Sequence, residues 1–140
     1  MKIIQIVGRS NSGKTTFIKS LIPELKKTGS VAVIKHLGHH IFNIEEKKDT
    51  SVFFESGADI SVGIDDQKSV AIIRKNTLDE ALRTLNDQDV DFVIIEGFKQ
   101  RSFPKIAIGD LQTDNCILTN PRVKDVVASL DRFDDFIIKK

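Results

Sequence analysis

Eight consecutive residues, Gly8-Arg9-Ser10-Asn11-Ser12-Gly13-Lys14-Thr15, satisfy the pattern Gly-x-x-x-x-Gly-Lys-Ser/Thr at every fixed position. The chemistry of this pattern is phosphate binding. Its glycines let the backbone curl so that N–H groups converge on an anion. Lys14 brings a cation to the β- and γ-phosphates of a nucleoside triphosphate. Thr15 brings a hydroxyl oxygen to Mg²⁺, an ion that prefers oxygen donors, and Thr16 adds a contact to the α-phosphate. A chance glycine-rich turn would carry the same letters, but here an apolar run, Ile3 to Val7, precedes the loop and helical periodicity follows it. That is the context the pattern needs.

A second chemical position closes the run Val93-Ile94-Ile95-Glu96-Gly97-Phe98-Lys99. A carboxylate at the end of a strand beside a phosphate loop orients Mg²⁺ or its water, so Lys14 and Glu96 form the candidate catalytic pair. Gly97 would let the backbone approach the ligand. The plainer alternative is a strand that simply ends in a solvated acid. Asp91 opens the same strand and is expected at the opposite edge of the sheet.

The three histidines of the chain, His36, His39 and His40, fall within Lys35 to His40. Metal binding would need Glu45, Glu46 or Asp49 to complete a ligand set. Contact with a ligand's phosphates or a partner, led by Lys35, is the second option, and local packing is the third. Asp49 reads either as a helix cap or as a contact to Mg²⁺-bound water or substrate. Arg101, beyond Glu96, is a further cation near this edge.

These residues need elements to position them. Ile3–Val7, Val31–Ile34 and Phe92–Ile95 read as buried strands. Residues 13 to about 27 read as a helix with Phe17, Ile18, Leu21, Ile22 and Leu25 on one face. A short helix follows Asp49. Residues 60–64 and 69–74 read as strands joined by a turn at Asp65-Asp66-Gln67. Thr77-Leu-Asp-Glu80 is a capping box that opens another helix. Residues 105–108 and 116–118 are the last strands, and Asn120-Pro121 is expected to cap a helix running to about Leu130. The alternation implies a phosphate-loop NTPase-like three-layer α/β/α sandwich with a mainly parallel sheet, made mixed by the hairpin. Ligands of such sheets gather at the carboxyl ends of the strands.

Composition bounds the rest. A chain of 140 residues, 40% hydrophobic, is the size of one domain, taken here as residues 1–140. With 21 Lys+Arg against 20 Asp+Glu it has no overall basic field, and with 9 Phe but no Trp or Tyr a nucleic-acid stacking platform has little to build on. No apolar run is long enough to span a bilayer, and no signal peptide is expected. The single cysteine, Cys116, suits a reducing cytoplasm and is expected to be a buried small hydrophobe.

Taken together, Asn11-Ser-Gly-Lys-Thr-Thr-Phe17, Ile34-Lys-His36, His39-His40, Lys48-Asp49-Thr50, Ser56-Gly-Ala58, Glu96-Gly-Phe-Lys99 and Pro104-Lys-Ile106 resemble the molybdopterin-guanine dinucleotide biosynthesis protein B (MobB) family over roughly residues 2 to 108. The resemblance implies a dimeric GTP-binding α/β protein using Mg²⁺. It would act as an adaptor beside a MobA-like guanylyltransferase in attaching GMP to molybdopterin, with slow GTP hydrolysis at most. It maps nucleotide contacts onto Gly8 to Thr16. It maps the second-strand motif onto Lys35, His36, His39 and His40, the helix-opening motif onto Asp49, and the acidic strand end onto Glu96, Gly97 and Lys99. With the phosphate-loop chemistry, the expected metal residues are Thr15, Glu96 and Asp49, Gly97 joins the nucleotide contacts, and Lys35, His36, His39, His40 and Lys99 are expected to meet a further ligand or partner. Two departures stand out: Glu45-Glu46-Lys47 replaces a common Pro-Gly turn, and Phe54 stands where an arginine is common. Guanine preference rests on the resemblance alone. No Asn-Lys-x-Asp motif is present, and Thr119-Asn120 reads better as a helix cap than as a base-reading loop. A small-molecule kinase or ligase, and a GTP-driven metal-insertion protein using the histidines, are the competing functions. The kinase reading calls for a lid-length insertion, and none is expected from the sequence.

Overall fold

The computed structural model describes residues 1–41, 49–74 and 77–138. In chain order its elements are β1 (Lys2–Gly8), α1 (Lys14–Lys26), β2 (Val31–Lys35), α2 (Asp49–Glu55), β3 (Ile60–Ile64), β4 (Ser69–Ile73), α3 (Leu78–Asp87), β5 (Phe92–Glu96), β6 (Lys105–Ile108), β7 (Cys116–Thr119) and α4 (Val123–Val127), with a closing 3₁₀ turn at Leu130–Arg132. They divide into two compact units, Met1–His36 with Leu82–Lys140, and Leu37–Ala81, which is inserted between β2 and β5. No helix among the described residues is long and apolar enough to cross a membrane.

The larger unit is built on a five-stranded sheet in the order β2-β5-β1-β6-β7, with every pair parallel. Strand β1 lies at its centre and is covered on both faces, which explains its nearly unbroken apolar sequence. Ile4 and Ile6 share one face with Ile94, Ile106 and Ile108, and pack on Ile18, Leu21 and Leu25 of α1, Val126 of α4 and Phe133. Each such fully buried aliphatic side chain contributes about 1.5–3 kcal/mol. The expected apolar stripe of α1 is therefore the real one, and the helix continues through Pro23 to Lys26. Ile3, Gln5 and Val7 point to the other face, together with Val93, Ile95, Lys105 and Ala107. The right-handed rule for parallel crossovers places α1 and α3 on opposite faces, which gives the three layers. The β5-to-β6 connection crosses β1 without a helix, on the Gln5 side.

The smaller unit pairs α2 with the antiparallel hairpin β3–β4, in the register Ile60↔Ile73 to Ile64↔Ser69. The turn forms where expected: Asp65 accepts hydrogen bonds from the backbone N–H groups of Gln67 (2.7 Å) and Lys68 (2.8 Å) and from the Lys68 ammonium (3.1 Å). The backbone bonds are the main cause of its lowered carboxyl pKa. Arg74 lies over the Phe54 ring at 4.1 Å. The Thr77 capping box is also real, with the Glu80 carboxylate accepting from Thr77 N–H (2.9 Å) and Thr77 Oγ1 accepting from Glu80 N–H (3.2 Å).

Three expectations are corrected. The hairpin forms its own two-stranded sheet and so does not join the mainly parallel five-stranded one. Cys116 is exposed. It begins the edge strand β7, where a register shift between Lys105 and Ile106 turns it away from the core. Asn120 caps no helix. It adopts φ 46° and forms a two-point amide clasp with Gly109, accepting from its N–H (2.7 Å) and donating to its carbonyl (2.9 Å). The last helix starts later and is short, from Val123 to Val127, with the Asp125 carboxylate accepting from Arg122 N–H at 2.9 Å.

Candidate functional site

The register puts β1, β2 and β5 side by side in one direction, so the loops after Gly8, Lys35 and Glu96 leave the same edge of the sheet. That edge carries the phosphate loop. Asn11 and Gly13 adopt φ 59° and 97°, the left-handed conformations that fold the segment back on itself. Gly8 is a glycine for lack of space, since a Cβ there would stand 2.6 Å from both the Ile108 carbonyl oxygen and Ser12 Oγ. Ser12 Oγ is itself buried without a hydrogen-bond partner among the described residues.

The start of α1 is chemically unlike that of α3. Gly13 is its N-cap, no side chain caps it, and its first turn holds no acid. The open N–H groups and the helix dipole therefore face the loop, an arrangement suited to an anion. The Lys14 ammonium turns into the loop and donates to the carbonyls of Gly8 (3.0 Å) and Arg9 (2.6 Å). Those weak acceptors can be exchanged for phosphate oxygens. Arg9, Ser10, Asn11, Thr15 and Thr16 are exposed. The Arg9 Nε pairs with Asp110 at 3.1 Å, tying the phosphate loop to the turn after β6.

Glu96 ends β5 in register with Ile6, so its side chain lies on the face of the sheet that α1 covers. Its carboxylate is 13% exposed and faces Lys35 Nζ at 3.9 Å, while Lys35 is 56% exposed. The polypeptide turns sharply beyond it. Gly97 and Phe98 are left-handed in succession, with φ 94° and 52°. The His36 ring stacks on Phe98 with centroids 4.3 Å apart, and a Cβ on Gly97 would reach within 2.9 Å of His36 Cβ. Lys99 is exposed.

The larger unit thus holds Gly8 to Thr16, Lys35, His36, Glu96, Gly97 and Lys99. His39, His40 and Asp49 belong to the smaller unit and are exposed there. Asp49 is the first residue of α2, where a carboxylate suits the helix dipole. Glu45 and Glu46 lie outside the described residues, among which no three His, Cys, Asp or Glu side chains converge as a metal centre requires. The oxygen donors expected for Mg²⁺ divide between the units, with the Thr15 hydroxyl and the Glu96 carboxylate in the larger and the Asp49 carboxylate in the smaller. Asp91 lies at the far edge, as expected. It accepts from Ser30 N–H (2.7 Å) and Ser30 Oγ (3.1 Å), and these bonds hold its carboxyl below the ordinary range.

Sequence reasoning missed Gln5 and Asp110. Gln5 is the one polar residue in the run Ile3 to Val7, which was the available signal. It is fully buried, and its amide donates to the carbonyls of Gly97 and Phe98, both at 2.7 Å. Lys105, next to it in register, is 1% exposed and donates to the carbonyls of Phe103 (3.4 Å) and Asp114 (3.2 Å).

Residues 3–131 match the family model for molybdopterin guanine dinucleotide synthesis protein B (MobB). The chain is 36% identical over 112 residues, 77% of its length, to a Methanocaldococcus jannaschii protein provisionally described as a molybdopterin-guanine dinucleotide biosynthesis adapter protein. It is 34% identical over 110 residues, 76% of its length, to the Haemophilus influenzae protein of that description. It spans 47% and 62% of the length of these two relatives. The crystal structure of Bacillus subtilis MobB superposes with a TM-score of 0.70 at 26% identity, covering 85% of this chain and 77% of that one. A MobB homologue from Bacillus stearothermophilus gives 0.64 with 94% of each chain covered, and at 19% identity that likeness bears on the fold alone. The fold is that of phosphate-loop NTPases.

Proposed function

The chain belongs to the MobB family, and from that footing we propose that it binds GTP with Mg²⁺ and serves as an accessory protein in making the guanine dinucleotide form of the molybdenum cofactor. It would work in the cytoplasm beside a MobA-like guanylyltransferase and its molybdopterin substrate. Residues 1–140 act as one nucleotide-binding domain, with Leu37–Ala81 as an insertion. One observation carries the nucleotide reading: α1 begins without a side-chain cap, behind a loop whose own lysine is turned into it. The loop from Gly8 to Thr16 would hold the phosphates, and Thr15 and Glu96 would hold the metal. The metal would supply charge neutralisation at the phosphates. Arg101, set over the Phe103 ring at 5.2 Å, gives the same edge some positive charge. Among the described residues we assign no Gln or Asp to the orienting of a water, and hydrolysis is accordingly expected to be slow.

The test is calorimetric titration with non-hydrolysable GTP and ATP analogues and Mg²⁺. We expect the GTP analogue to bind at least about tenfold more tightly, a difference of roughly 1.4 kcal/mol. An ATP preference would move the protein toward the small-molecule kinases. Binding of neither analogue would sink the nucleotide reading.

The homodimer is proposed to form through the hairpin. Ile60, Val62 and Ile64 alternate onto one exposed face of β3, and Ile73 pairs with Ile60 beside them. The opposite positions of β3, Ser61 and Gly63, are small, and a Cβ at Gly63 would stand 2.9 Å from Thr50 of α2. An apolar sheet face turned outward is characteristic of an association surface. Val62→Asp should convert a dimer to a monomer in sedimentation equilibrium, weakening association by roughly 3 kcal/mol, more than a hundredfold. A monomeric wild-type chain, or a variant that stays dimeric, would refute this interface.

A further inference from the structure

Gln5 is an expensive residue for its place. It sits mid-strand in the central strand, fully buried, and its Oε1 has no hydrogen-bond partner among the described residues. A buried acceptor left unpaired keeps its desolvation cost with nothing to offset it. Methionine, of similar size and with no strong acceptor, would avoid that cost. What methionine lacks is the amide N–H₂ group, and both of its hydrogens are used. Nε2 lies 2.7 Å from the Gly97 carbonyl and 2.7 Å from the Phe98 carbonyl.

Those two residues form the turn immediately after Glu96, and the turn needs holding. Phe98 is left-handed, a conformation in which an ordinary L-residue is strained. Three further contacts grip the same turn: Gly97 N–H donates to Ile6 O (3.0 Å), His36 N–H donates to Glu96 O (2.9 Å), and the His36 ring stacks on Phe98. Gln5 and Glu96 lie on opposite faces of the sheet, because Gln5 is in register with Ile95 and Glu96 with Ile6. By fixing the carbonyl planes just beyond Glu96, the amide on one face sets the direction in which the carboxylate leaves the other.

We propose that Gln5 is a positioning residue for Glu96, holding the turn at Gly97 and Phe98 so that the carboxylate faces the metal side of the phosphate loop. This rests on the Mg²⁺ role proposed above for Glu96. The readout is the ratio of GTP-analogue affinities measured with and without Mg²⁺. In Gln5→Met that ratio should fall about tenfold, as expected on loss of a group that orients a metal ligand, while affinity without Mg²⁺ stays at the wild-type value. Gly97→Ala, whose Cβ would press on His36 and oppose the left-handed backbone, should lower the same ratio from the other side of the turn. An unchanged ratio in a folded Gln5→Met chain overturns the proposal. So does an equal loss with and without Mg²⁺, which would mark a general core role. A wild-type chain that binds no nucleotide defeats the parent reading and the positioning role with it. A wild-type chain with a Mg²⁺ response that Gln5→Met leaves intact defeats only the positioning role.

Discussion

Lys14→Ala should lose nucleotide binding almost completely, with the affinity for a GTP analogue falling by at least about a hundredfold. The ammonium is the only cation inside the loop, since Arg9 is turned out to Asp110. Charge-assisted hydrogen bonds contribute about 1.5–3 kcal/mol each, and a lysine spanning two phosphates makes more than one. A loss near 3 kcal/mol corresponds to roughly two decades in affinity. The uncapped helix start would survive the substitution, but its dipole supplies only about 0.3–1 kcal/mol at an exposed site. The fold should also survive, because among the described residues Lys14 Nζ hydrogen-bonds to the carbonyls of Gly8 and Arg9, both within the loop itself. The check is titration calorimetry beside a thermal melt. A variant that melts like wild type and still binds as wild type would reduce the loop to a structural turn.

Glu96→Gln should separate nucleotide binding from its Mg²⁺ dependence. The substitution keeps the shape and removes the charge. If the carboxylate orients Mg²⁺ or its water, the gain in affinity that Mg²⁺ brings should shrink about ten- to hundredfold, while metal-free binding holds or improves. The rival role is the ion pair with Lys35. At 3.9 Å, with the lysine more than half exposed, such a pair is worth at most about 1 kcal/mol, and its loss would not depend on Mg²⁺. Titrations with and without Mg²⁺ therefore discriminate between the two roles, and an identical Mg²⁺ response in wild type and Glu96→Gln would remove Glu96 from the metal site.

What the sequence revealed was local. The phosphate loop, the stripe of α1, the Asp65 turn and the Thr77-Glu80 box are each set by side chains within a few positions of one another, and each formed as read. What it concealed depends on partners far along the chain. Asn120 carries the signature of a helix cap, yet Gly109, eleven residues back, offers its amide both a donor and an acceptor. Gln5 shows only as a polar interruption in a strand, because its carbonyl partners lie more than ninety residues away. The hairpin's strands were recognisable, but strand pattern does not name a neighbour, and β3 and β4 pair with each other alone. The exposure of Cys116 follows from its position on an edge strand, and edges belong to sheet order rather than to local sequence.

The strand order also bears on how the chain is made. Strand β1 carries the phosphate loop at its end, but its two neighbours are β5, from Phe92, and β6, from Lys105. During synthesis the loop sequence emerges long before either strand exists. At roughly 5–20 residues per second, the interval is on the order of ten seconds. Over that time an apolar strand has no native edge to join, and Gly8 has no Ile108 to lie against. Nucleotide therefore cannot template the early chain. The binding loop is completed only after most of the domain has been translated.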